Sequence, residues 1–72
     1  MPNKDINDMP DIRLREAIAA FLYGPKYTAE NIRGIAILGK GRWYCYPTKG
    51  TYTRIGNFIK VNKDGEDGQV YV

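Results

Sequence analysis

A chain of 72 residues with one cysteine and no histidine can bury one modest core and must hold it by packing, because no intrachain disulfide can form and a tetrahedral zinc site lacks its ligands. Histidine and serine are both absent, which removes nucleophilic catalysis of the Ser–His and Cys–His kinds. The formal charge of +3 conceals a division: residues 12–62 hold nine basic side chains against two acidic ones, whereas residues 1–11 and 63–72 each hold one lysine against three acids. A basic body between acidic ends favours anionic partners, nucleic acid first.

Residues 1–10 carry Lys4, Asp5 and Asp8 without an apolar run of the signal-peptide kind, and no stretch approaches the roughly 20 apolar residues of a membrane span. With an unpaired thiol, the expected setting is the reducing cytoplasm, away from membranes. Residues 1–7 are expected to form a flexible N-terminus and residues 8–72 a single small domain. One core of this size supplies only about 3–5 kcal/mol, which leaves a homodimer open.

Asp8, Pro10 and Asp11 read as a helix start. Asp8 is placed to accept from the first amides, Asp11 is the competing cap, and Pro10 suits the first turn. The helix is predicted to reach about Tyr23, where Gly24 can adopt the left-handed conformation and Pro25 blocks continuation. At about 100° per residue, Leu14, Ala17, Ile18, Phe21 and Leu22 share one stripe, the predicted core face. Ile12, Glu16, Ala19 and Tyr23 fall on the far side, where Ile12 and Tyr23 are candidates for a partner contact.

Thr28 is a second N-cap, but Ile32, Gly34, Ile35 and Ile37 propagate a helix poorly, so one or two turns followed by a strand are predicted. If that helix ran on to Gly39, the outline would be a truncated winged helix, the alternative fold. From Ile35 onward the texture is β: a strand over 35–38, a Gly39-Lys40-Gly41 turn, a strand over 42–46, a turn over 47–50, and a long strand over 51–61 with a bulge or bend at Gly56. A polar loop over 62–68 and a short last strand over 69–72 complete the chain. The predicted class is therefore α+β, an N-terminal helix packed on a three- to four-stranded antiparallel sheet.

Gly34 to Lys40 has the outer spacing of a phosphate-binding P-loop, but Gly41 stands where its hydroxyl residue belongs and residues 35–38 read as strand. Asp64-Gly65-Glu66-Asp67-Gly68 gathers acids without the alternating ligands of a calcium loop. Cys45, between Tyr44 and Tyr46 in a strand, reads as an inert buried thiol. Neither catalysis, nor a metal, nor a cofactor is expected.

Alternation puts Arg42, Tyr44 and Tyr46 on one side of their strand and Trp43 and Cys45 on the other. In the next strand Tyr52, Arg54, Phe58 and Lys60 share one parity and Thr53, Ile55, Ile59 and Val61 the other, subject to a phase slip at Gly56. Pairing Tyr46 with Tyr52 and Tyr44 with Arg54 gathers Trp43, Cys45, Ile55, Ile59 and Val61 beneath the helix and leaves a basic-aromatic face outside. Rings stack on unpaired bases while Arg and Lys neutralise phosphates. Lys40-Gly41 ahead of alternating aromatics is similar, over six residues, to the aromatic strand of RNA-binding sheets, although the βαββαβ order is absent.

The expected function is a small non-enzymatic nucleic-acid-binding module, with single strands the readier ligand. Its expected site is Arg42, Tyr44, Tyr46, Tyr52, Arg54, Phe58 and Lys60, with Lys40 and Lys49 at the turns. The alternative is a protein-binding regulator or inhibitor acting through the same face or a free edge strand. Cross-strand pairs of these residue types also stabilise a sheet that binds nothing.

Overall fold

Helix α1 spans Asp11–Tyr23, entered from Pro10 in extended conformation without a side-chain cap. The structure, a computed structural model, describes residues 10–65 and 68–71, so the expected cap Asp8 lies outside the described residues. Asp11 stands in the first helical turn, where the positive end of the helix dipole favours a carboxylate. Gly24 ends the helix at a φ of 57°, its N–H bonded to Ala20 O, and Pro25 then sits inside one 3₁₀ turn, Gly24–Lys26.

Thr28 caps α2, Ala29–Arg33, its hydroxyl accepting from the Asn31 N–H at 3.3 Å. The helix stops there and the chain is extended again by Ala36, so the long second helix of a winged-helix outline does not form. β-Branched side chains at Ile35 and Ile37 favour the pleated conformation over further helical turns.

Strands β1 (Ala36–Ile37), β2 (Arg42–Cys45), β3 (Thr48–Ile55), β4 (Phe58–Lys63) and β5 (Gln69–Tyr71) form one antiparallel sheet in chain order. The α+β class and the N-terminal helix on an antiparallel sheet are as expected. The ladder reaches five strands because the predicted strand over 51–61 is a hairpin. Ile55 pairs with Phe58 around Gly56-Asn57, and Gly56, at a φ of 58°, has the positive φ required at the first central position of a type II′ turn. The preceding turn is also tighter than predicted: Cys45 pairs with Thr48 around Tyr46-Pro47, whose peptide bond is cis.

One face of the sheet carries α1. Leu14, Ala17 and Ile18 of the helix meet Trp43, Cys45, Ile59 and Val61 in a single buried cluster, with Phe21 and Leu22 partly buried at its margin. Leu14, Ile18, Ile35, Ile59 and Val61 are fully buried, each contributing about 1.5–3 kcal/mol relative to exposure.

The far side of α1 is not solvated in the way the single apolar stripe implies. Arg15, Ala19 and Tyr23, spaced one turn apart, form a second line of contact along α1. Arg15 Nε donates to Ile35 O at 3.0 Å, Ala19 is fully buried, and the Tyr23 hydroxyl lies 3.1 Å from Cys45 Sγ. Of the two apolar residues assigned to a partner contact, Ile12 is exposed and Tyr23 is taken up by the fold. No helix among the described residues is long and apolar enough to cross a membrane.

Candidate functional site

The register of the ladder decides which side chains share the face turned away from α1. Arg42 stands opposite Thr51 and Tyr44 opposite Lys49; Thr53 stands opposite Lys60 and Ile55 opposite Phe58. Directly opposed residues point to the same side of a sheet, and Trp43 and Gly50, another opposed pair, are buried on the helix side. Arg42, Tyr44, Lys49, Thr51, Thr53, Ile55, Phe58 and Lys60 therefore occupy the open face. Most of them are exposed and Tyr44 is half-buried; the two large apolar members, Ile55 and Phe58, are 50% and 45% exposed.

This set differs from the expected one. Tyr46–Tyr52 and Tyr44–Arg54 are not pairs, because the turn at Tyr46-Pro47 holds only two residues and shifts β3 by an odd number of positions, which exchanges its two faces. Tyr52 and Arg54 consequently lie on the helix side. Tyr52 packs against the buried cluster, and the Arg54 guanidinium carbon stands 5.8 Å from the Tyr52 ring centre, within cation–π range. Ile55 makes the opposite move, from expected core to open face.

Tyr46 stays 83% exposed in the turn, outside the ladder, and Lys40 is exposed in the turn between β1 and β2. Lys49, expected in a turn, is a strand residue facing Tyr44. Thr51 and Thr53 also belong to this face, and the signal that places them is the two-residue turn at Tyr46-Pro47.

The strand positions on this face carry Arg42, Lys49 and Lys60 and no carboxylate. Among the described residues nothing pairs with these three cations in an ion pair, so their field is directed outward. A shallow depression of about 180 Å³ opens at the β2–β3 end, lined by Leu38, Arg42, Trp43, Lys49, Gly50, Thr51 and Asp64. It is smaller than the roughly 300–1,000 Å³ clefts that enclose small-molecule ligands, and its two cations and one hydroxyl suit an anion the size of a phosphate. Asp64 on its rim opposes part of that charge.

Cys45 is a buried free thiol. Its hydrogen bond to Tyr23, then burial, then electrostatic repulsion from Cys45 hold the Tyr23 hydroxyl above its ordinary pKa of 10.0. No cluster of three or more His, Cys, Asp or Glu among the described residues could hold a metal ion. No protein-family model matches the chain, and neither a curated protein nor a solved structure matches it.

Proposed function

We propose that this chain is a non-enzymatic nucleic-acid-binding module that lays a single strand across the helix-free face of its sheet. Arg42, Lys49 and Lys60 neutralise phosphates, with Lys40 adding charge from the neighbouring turn. Tyr44 and Phe58 offer rings to bases, and Thr51 and Thr53 offer hydroxyls to phosphate oxygens. The register carries this reading, since it brings these side chains to one side of three strands and leaves every strand position there free of acid. Rings on an open sheet favour a single strand over a duplex, because only unpaired bases expose a face to stack on. The buried unpaired Cys45 thiol favours a reducing compartment, and we place the protein in the cytoplasm on that ground.

The test is the salt dependence of binding to a single-stranded oligonucleotide, followed by anisotropy of a labelled strand. Three phosphate contacts give a slope of log K against log salt of about −2, with weaker binding to a duplex of the same length. A flat salt dependence, or tighter binding to the duplex, would overturn the reading. The directly paired, half-exposed Ile55 and Phe58 favour a second reading, a protein-binding regulator whose hairpin tip seats on its target. Retention of one specific protein on the immobilised chain after nuclease treatment would select it.

A further inference from the structure

Resting on that reading, we infer that the face contains two separate base subsites, Tyr44 at one end and Phe58 at the other, with the phosphate-binding cations between them, so that one strand must bridge both. The outward positions of β3 serve as a ruler. Tyr44 stands level with Lys49, Arg42 with Thr51, Lys60 with Thr53, and Phe58 with Ile55. Read along β3, the order of chemistry is a ring with Lys49 beside it, a cation, a cation and a ring, with Thr51 and Thr53 adjoining at the middle.

At about 3.3 Å per residue, the six-residue step from 49 to 55 sets the rings roughly 20 Å apart along the strand, and they lie on opposite flanks of β3, a further ~10 Å across. Two rings so placed cannot clasp one base, nor stack on adjacent ones. Each takes its own base, and the intervening backbone passes over the cations. The two offsets combine to about 22 Å; nucleotides advance about 3.4 Å each when stacked and up to about twice that when splayed, so the span takes about three to seven steps.

The two ends are not equivalent. At the Tyr44 end, Arg42, Lys49 and Thr51 line the depression of about 180 Å³ with Asp64 on its rim, which gives a phosphate a recessed seat. At the Phe58 end, Lys60 and Thr53 stand exposed beside a half-exposed ring. A strand held at both ends gains from effective concentration, whereas a strand too short to bridge gains nothing from the second subsite.

The experiment uses the intact chain and oligothymidylates of about two to nine nucleotides, lengthened one nucleotide at a time, with two further strands of the shortest length at which affinity levels off. In one of these the interior bases are replaced by abasic sites; in the other, the terminal bases are. Affinity is expected to rise at least tenfold between about two nucleotides and the bridging length of about four to eight, and then to level off, because each stacked base is worth about ten- to a hundredfold. The strand with interior abasic sites should bind within about twofold of the intact one, and the strand with abasic ends should fall to the level of the shortest. Affinity that grows evenly with length, or interior abasic sites as costly as terminal ones, would overturn the two-subsite arrangement while salt-dependent binding left the broader reading standing. Failure of every strand to bind would remove both. Because the substitutions are made in the ligand, misfolding of a variant cannot imitate either result.

Discussion

The indole of Trp43 lies against Gly50, its partner directly across the β2–β3 ladder, and its Nε1–H donates to Thr51 O at 3.1 Å. A Cβ on residue 50 would stand 2.5 Å from Trp43 Cζ2 and would also strike the Asn62 carbonyl on β4. Gly50 therefore seats the largest side chain of the core, and in doing so holds the register that brings Arg42, Tyr44, Lys49 and Thr51 to the opposite face.

Substitution of Gly50 by alanine is expected to cost at least the ~1–3 kcal/mol of an overpacked core, and substitution by valine more. Urea denaturation reads this as a lowered midpoint with an unchanged slope. A midpoint for Gly50→Ala equal to that of the parent chain would contradict the contact.

The exchange of faces along β3 separates two cations that the sequence alone groups together. Lys60→Gln is expected to reduce the salt slope for single-strand binding by about 0.7, the loss of one phosphate contact, with little effect on stability. Arg54→Gln is expected to leave that slope unchanged and to cost about 0.5–1 kcal/mol of stability through its lost contact with Tyr52. Equal slope changes in the two variants, measured side by side, would place Arg54 on the binding face after all.

Stability at high pH reports on the Tyr23–Cys45 contact. The Tyr23 pKa is raised in the folded chain, so its contribution is fully present below the unfolded value of about 10 and is lost as pH rises from there through the folded value. The parent chain should therefore lose more stability between about pH 9 and 11 than Tyr23→Phe does, although the variant starts about 0.5–1.5 kcal/mol lower for want of the hydrogen bond. Equal losses over that interval in the two chains would argue against the assignment.

Among the described residues, Asp64 is the one carboxylate bordering the depression that Arg42 and Lys49 line. Its replacement by asparagine is expected to tighten binding of a single strand by about two- to fivefold at low salt, the scale of one exposed charge pair, and the gain should shrink as salt is added. Weaker binding in Asp64→Asn would mean that the carboxylate contacts the ligand directly.

The core half of this architecture is legible in the sequence because alternation within one strand needs no knowledge of its neighbour. Trp43 and Cys45, like Ile59 and Val61, are buried as their parity requires. The relative phase of two strands is another matter, since it depends on whether a turn holds an even or an odd number of residues. A turn starting at Pro47 suggests four residues, and the fold uses Tyr46-Pro47 alone, which reverses β3. Gly56 in an otherwise β-forming run suggests a bulge, and the fold makes a hairpin there, which reverses the chain again. The two reversals cancel for Phe58 and Lys60, which keep their expected face, and do not cancel for Tyr52, Arg54 and Ile55. Ala19 and Tyr23 are misplaced for a different reason: an apolar stripe records one packing partner, whereas α1 also meets α2 and β1, and Tyr23 reaches Cys45 on β2.

Side-chain methyl resonances test the central claim most directly, because Thr51, Thr53 and Ile55 mark the open face while Leu14, Ile18, Ile59 and Val61 mark the core. On titration with a single-stranded oligonucleotide, the first three should shift and show intermolecular contacts to nucleotide protons, with the core methyls little changed. Contacts instead from Ile12 on the outer side of α1, or no shift at Thr51 and Thr53 at a saturating concentration, would contradict binding through this sheet.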